Sequence, residues 1–299
     1  MARISVCLTH YGRNAKLAAT LESLARQTRL PDEVFVWDDH SPEDPVGIAE
    51  QFRHRFRRFV YRRNAHNLGM PGNLNAVLAQ ATGDYVANLH DADLFAPQLL
   101  ENWTRALDVH RSAAFVFCRV AGRNESQDCR LRGCGPLTPG LEFNRRYLLN
   151  SWRGSSPIWG TVMVRRSFYQ RFLPFESRFG CVADVDMWMR LSIASDVAFV
   201  NEALIEAEPG SHFVRGVNWS LVHALRQLHS ENVTRFSLAT GRAELPLRVR
   251  HEAIFAGLNA LCVLSLLRRG RWSELGGVWR SNPGRSPLAP DKIAVGERG

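Results

Sequence analysis

The sequence predicts a mixed α/β protein: a mostly parallel central sheet flanked by helices, followed by a C-terminal helical extension. Three observations predict it. Short apolar runs of strand length alternate with stretches of helical period through the first two-thirds of the 299 residues. Several of those runs stop abruptly on acidic and polar residues, as strands do where a ligand crevice forms beyond the C-terminal edge of a parallel sheet. From Phe213 the strand-like runs cease and the pattern becomes helical.

Taken in order, Ile4–Thr9 reads as a buried strand, followed by a turn at Gly12 and a helix cap at Asn14. Leu17, Leu21 and Leu24 recur at helical spacing up to Gln27. Glu33–Trp37 is a second strand, ending on Asp38-Asp39-His40-Ser41. A polar helix is expected up to about Phe56, then a strand over Phe59–Arg62. Leu74, Val77, Leu78 and Ala81 mark a helix stopped by Gly83, and Tyr85–Leu89 is a further strand, ending on His90-Asp91-Ala92-Asp93. Residues 119–155, rich in Gly, Arg and Pro, read as an active-site loop. Gly160–Arg165 is a strand, and Val182–Ile193 a helix with Val185, Met189 and Ile193 on one face and Asp184 in its first turn. The divisions expected are a catalytic domain over 1–212, with halves meeting near 118, a helical region over 213–281, and a disordered tail over 282–299.

Composition excludes several classes. Hydrophobic residues at 45% and charged residues at 22% describe a soluble globular chain. The six cysteines follow no disulfide or zinc spacing and fit a reducing, cytoplasmic setting. The N-terminus lacks the apolar run of a signal peptide, and no stretch reaches the length expected of a membrane span. The net charge of +9 is concentrated late: residues 213–299 hold 13 Arg/Lys against 6 Asp/Glu, nearly all arginine. Arginine suits phosphates, so nucleotides, nucleic acid and anionic lipid are all admissible partners. Arg53–Arg63 interleaves arginines with Phe56, Phe59 and Tyr61, as a nucleic-acid surface does, but no recognition motif accompanies it. The expectation is arginines outward and rings inward, with no nucleic-acid partner.

Strand-end residues carry the chemistry. Thr9, Tyr11, Asp38, Asp39, Asp91 and Asp93 all follow strand ends and should converge on one crevice. Two carboxylates one residue apart can hold a hard divalent cation whose remaining ligands come from a diphosphate and water. A tyrosine can stack on a base, and a carboxylate can accept from the imide N–H of uracil or thymine. Asp184 has the chemistry of a general base, although the dipole of a helix start favours a carboxylate there anyway.

The segments ISVCLTHYGR, LESLARQT, DEVFVWDDHS, NLGMPGNLNAVLAQATGDYV, HDADLFAP, PFESRF and ADVDMWMRL, in this order between Ile4 and Ser211, resemble the family 2 glycosyltransferases with their GT-A fold. The resemblance implies a nucleotide-sugar-dependent transferase, with Thr9, Tyr11 and Asp39 at the base of a UDP- or dTDP-sugar. It implies that Asp91 and Asp93 hold Mn2+ or Mg2+ and the diphosphate, that Asn75 lies near the sugar nucleotide, and that Asp184 is the base of an inverting displacement. Departures accompany it. The acidic run starts one place late, with His90 where the first acid usually stands, so His90 joins the candidate ligands. Ala183 replaces a common Glu, which makes Asp186 a rival for the base, while Glu208–His212 matches the late histidine motif loosely. A non-catalytic nucleotide-sugar binder on the same fold is the alternative reading.

The C-terminal region is outside the resemblance. Ala253–Leu267 is apolar nearly all round and is followed by Arg268, Arg269 and Arg271. Such a helix is expected to be buried within the protein or in a homodimer. Peripheral contact with the inner face of a membrane, where a lipid-linked or glycan hydroxyl acceptor would lie, is the alternative.

Overall fold

A computed structural model describes residues 2–121, 131–149, 156–158, 160–207, 219–272 and 275. The tail over 282–299 and the Glu208–His212 segment lie outside the described residues, as do 122–130 and 150–155 of the stretch expected to be a loop. The described part of that stretch is instead ordered, with a strand at Leu137–Thr138 and helical segments over Gly140–Phe143 and Asn144–Leu149. The described strands are β1 (Ile4–His10), β2 (Glu33–Asp38), β3 (Phe59–Arg63), β4 (Tyr85–His90), β5 (Leu94–Phe95), β6 (Ala113–Ala121), β7 (Leu137–Thr138), β8 (Val162–Arg165) and β9 (Asp196–Glu206). They form a single sheet in the order β3-β2-β1-β4-β8-β6-β9-β5, with β7 paired to β9. β3, β2, β1 and β4 run parallel, and so do β6 and β9; β8 is antiparallel to both β4 and β6.

The alternation of side chains along each strand divides the core into two layers. Val34 and Val36 face the helices Asn14–Ala25 and Leu99–Val109, together with Ile4, Val6 and Leu8. Phe35 and Trp37 face the opposite way, into a layer shared by the helices Gly69–Leu78 and Ala183–Ala194. Leu228, Val233 and Phe236 of the helix Trp219–Thr240 belong to that same layer. The first C-terminal helix is therefore part of the same core as the sheet. Arg178 strengthens the junction with a bidentate pair to Glu231 at 2.7 and 2.8 Å.

Several sequence expectations change in detail. Asn14 is the first helical residue rather than the cap; its side chain bonds the His10 ring at 2.9 Å and the Glu43 carbonyl at 3.1 Å. The polar helix before Phe56 is only Val46–Glu50 followed by a short turn at Arg53–Arg55. The arginine-aromatic segment is a strand entry: Phe56 and Phe59 are buried and stacked, while Arg53, Arg55 and Arg58 pair with Glu50, Glu22 and Glu33. The last helix runs from Glu244 to Arg268, beginning well before the apolar run, because Pro246 falls in its first turn, where no intrahelical donor is required.

Candidate active site

Register sets the site. Thr9 lies beside Trp37 and His90, and His10 beside Asp38, so β1, β2 and β4 end at one level. Beyond that edge the three strand ends meet the helix starts at Asn14 and Ala183.

The end of β2 is mostly structural. Asp38 is fully buried and accepts from the Ser41 hydroxyl and, at 3.2 Å, from the Ser41 N–H, with Arg63 Nε 3.3 Å away. Ser41 in turn accepts the Gly12 N–H at 2.8 Å, which joins the β1 and β2 turns. Asp38 thus shapes the crevice rather than facing a ligand, a correction to its expected role. Asp39 accepts from Asn64 Nδ2 at 2.9 Å and the Leu68 N–H at 2.8 Å, and orders the segment that leads into the helix Gly69–Leu78. Tyr11 is 44% exposed, so its ring is available to a ligand.

Asn75 joins two segments on the side of the sheet shared with the helix Ala183–Ala194. Its amide donates to the Phe175 carbonyl at 2.9 Å and accepts the Phe175 N–H at 2.8 Å, which uses it as a clamp between two segments.

Asp91 and Asp93 diverge. Asp91 lies 2.8 Å from His10 Nδ1, accepts from Arg13 Nη1 at 2.8 Å, and accepts the Tyr11 N–H at 3.2 Å. Burial alone would raise its pKa, but His10 and Arg13 outweigh burial and hold the carboxyl below the usual range. Burial alone would lower the His10 pKa; Asp91 outweighs it and holds the imidazole above its ordinary value. Asp93 turns the other way, toward Thr161 Oγ1 at 3.3 Å and His90 Nδ1 at 3.5 Å. Thr20, from the first helix, grips the backbone between them by donating to the carbonyls of Asp91 and Asp93 at 3.0 and 2.9 Å.

Asp184 completes the far wall. Gly160 adopts φ +89°, held by Asn88 Nδ2 on its carbonyl at 3.0 Å. A Cβ there would lie 2.9 Å from Asp184 Oδ2 and 3.0 Å from His90 Cε1. The glycine therefore leaves the gap into which His90 and Asp184 both project. Burial pushes the Asp184 carboxyl up to about 6, against the Val185 N–H and the charge of His90. For His90, burial alone would lower the pKa, and the negative charges of Asp93, Asp184 and Asp91 raise it.

Asp186 is removed as a rival. It is fully buried and accepts from Arg190 Nε at 2.7 Å, Arg235 Nη1 at 2.7 Å and Asn232 Nδ2 at 3.0 Å. Trp188 is buried core and Arg190 spans to the Pro174 carbonyl at 3.1 Å.

The two carboxyls expected from the spacing to share a cation point apart, Asp91 toward His10 and Arg13 and Asp93 toward Thr161 and His90. Among the described residues no three His, Cys, Asp or Glu side chains converge as a metal site. The residues fit a cation on the Asp93–His90 side, beside the gap at Gly160, where diphosphate oxygens would supply further ligands.

The family model for glycosyl transferase family 2 matches residues 5–173, more than half of the chain. The chain belongs to that family. EpsE of Bacillus subtilis (strain 168), whose name assigns it glycosyltransferase activity provisionally, is 29% identical over 195 residues, or 63% of this chain and 66% of EpsE. The chain thus spans about two-thirds of that relative's length. Among solved structures, S. aureus TarS 1-349 in complex with UDP-GlcNAc has a TM-score of 0.60 at 19% identity, over 89% of this chain and 74% of that one. Mannosyltransferase PcManGT from Pyrobaculum calidifontis, in complex with GDP-Man and Mn2+, has a TM-score of 0.60 at 16% identity, over 92% and 81%. The fold of the family 2 chain is GT-A.

His10, Arg13, Thr20, Thr161 and Gly160 escaped the sequence reading of the site. Only Arg13 carried a signal: a cation two residues after Tyr11, just beyond the end of β1.

Proposed function

We propose that this family 2 protein transfers a sugar from a nucleoside diphosphate sugar to an acceptor hydroxyl, inverting the anomeric centre by a single displacement. One observation carries the reading: Asp184, its pKa raised to about 6, projects into the gap at Gly160 at the strand-end crevice. A carboxylate poised there is ionised at neutral pH and basic enough to take the acceptor's proton as the bond to the sugar forms. Tyr11 offers a ring for the base, and Asp39 a carboxylate beside it. The UDP-GlcNAc of the TarS complex supports a uracil nucleotide, and dTDP presents the same imide edge. Arg13, oriented by Asp91, adds positive charge on the β1 side.

A bound Mn2+ or Mg2+ would neutralise the charge gathering on the departing diphosphate. Asp93 and His90 are the residues that would hold it; the Mn2+ of the PcManGT complex supports a divalent cation in the reaction and leaves its ligands to be tested. The test is a thermal-shift screen of nucleoside diphosphates and their sugars with and without Mn2+, followed by NMR of the product. A ligand that binds the folded state raises its melting temperature. Inverted configuration is expected. A retained product overturns the single displacement, and full activity in EDTA overturns the cation.

A further inference from the structure

The helix Glu244–Arg268 is apolar, yet it is mostly uncovered: 22% of its most apolar window is buried. Its covered face is narrow. His251, Phe255, Cys262 and Leu266 are buried, and Arg248 donates to Ser230 Oγ at 2.7 Å and Thr234 Oγ1 at 2.8 Å, so the helix is held against its neighbour Trp219–Thr240. The opposite face presents Leu245, Val249, Ala253, Ala256, Gly257, Ala260, Leu261 and Leu264 to solvent. These recur at helical spacing and make one stripe about 29 Å long at 1.5 Å per residue.

Both ends of the stripe are basic. Arg242 and the exposed Leu238 precede it, while Arg268, Arg269, Arg271 and the exposed Trp272 close it. Glu252, the acid within its span whose side chain is described, is turned to Arg226. A water-soluble surface does not present this combination without use. An apolar strip bounded by arginines, with an indole at one end, matches the interfacial zone of an anionic bilayer.

We propose that this stripe lies flat on an anionic membrane surface, with its leucines in the acyl boundary and the terminal arginines at lipid phosphates. By length and composition the helix could also cross a bilayer. Arg248, Arg250, His251 and Glu252 in its first half oppose crossing, as does the face packed against the protein. A second copy of the chain would cover the leucines but would bring the same arginines together, so charge favours lipid.

The test is flotation of the full-length protein with phosphatidylglycerol/phosphatidylcholine vesicles and with phosphatidylcholine alone. Co-flotation with the anionic vesicles, weakened by salt, is expected. The pair Leu261→Asp and Leu264→Asp, on an exposed face, should keep the wild-type melting temperature and lose flotation. Replacing Arg268, Arg269 and Arg271 by Gln should weaken vesicle binding by on the order of 10²-fold. A wild-type protein that stays at the bottom of the gradient overturns the proposal. So does a dimer, seen by light scattering, that Leu261→Asp dissolves without changing flotation. Resistance to carbonate extraction would establish a spanning helix instead and overturn it equally. None of these readouts depends on the sugar donor.

Discussion

The two faces of the helix Ala183–Ala194 place carboxylates two residues apart in opposite surroundings. On the face turned to the strand ends, Asp184 sits in a desolvated gap with His90 across it and a pKa raised to about 6. On the face turned to the C-terminal helices, Asp186 is clasped by Arg190, Arg235 and Asn232. The same residue type in the same turn becomes a desolvated carboxyl of raised pKa on one side and an ion-paired structural anion on the other. The helix dipole acts on both alike, so it cannot be what separates them. Tertiary partners separate them.

The largest expected effect follows from the first face. Asp184→Asn should lower kcat by about 10²–10⁴-fold, the range for a positioned base, with donor binding and fold retained. Near-normal turnover in that variant would place the base elsewhere and dissolve the comparison. Asp186→Asn should act through stability instead, because it leaves Arg190 and Arg235 around a buried site without their anion. The loss is about 3–5 kcal/mol, read as a lower melting temperature, with kcat per folded molecule little changed. A double-mutant cycle with Arg235→Met should show coupling of about 0.5–3 kcal/mol. A coupling of zero would mean that the C-terminal helix does not hold this face.

The same divergence separates Asp91 from Asp93. Asp91→Asn removes the anion that orients Arg13 and the Tyr11 backbone, so the donor KM should rise about tenfold, a charged hydrogen bond's share. Its requirement for Mn2+ should stay that of the wild type. Asp93→Asn should raise the Mn2+ concentration needed for half-maximal rate. If Asp91→Asn shifts the metal requirement instead, the Asp91 side chain leaves His10 and Arg13 when the donor binds.

These pairs show what was legible in the sequence. The strands at β1, β2 and β4 were readable because apolar runs ending on Asp38 and on His90–Asp93 combine periodicity with a sharp polar stop. Convergence of their ends followed from the rule for parallel sheets. Side-chain direction was not readable, since it is set by residues distant in the chain: Arg13 lies 78 positions from Asp91, and Arg235 lies 49 from Asp186. Gly160 looked like the start of a strand; only its φ of +89° and its two neighbours reveal the gap. The last helix was read as core because an all-round apolar sequence usually is, and no sequence pattern says which side the protein will cover. Its hidden face depends on Trp219–Thr240, which is itself anchored in the core through Leu228, Val233 and Phe236.

The last expected effect is one of pH, and it tests the Asp184 environment directly. Burial raises this carboxyl from 3.8 to about 6 in the folded protein, so the folded state holds the proton more tightly than the unfolded chain does. The sign follows: protonated Asp184 costs nothing below pH 3.8, and its ionisation penalises the folded state progressively as pH rises through 6. Two measurements check it. The rate of transfer should fall tenfold per pH unit below about 6, since the protonated carboxyl is no base. Asp184→Asn, which cannot ionise, should be more stable than the wild type at pH 8 by on the order of 2–3 kcal/mol, and no more stable at pH 3.5. A variant less stable at pH 8 would mean that Asp184 is an anchored carboxylate like Asp186, and the two faces of the helix would then be electrostatically alike.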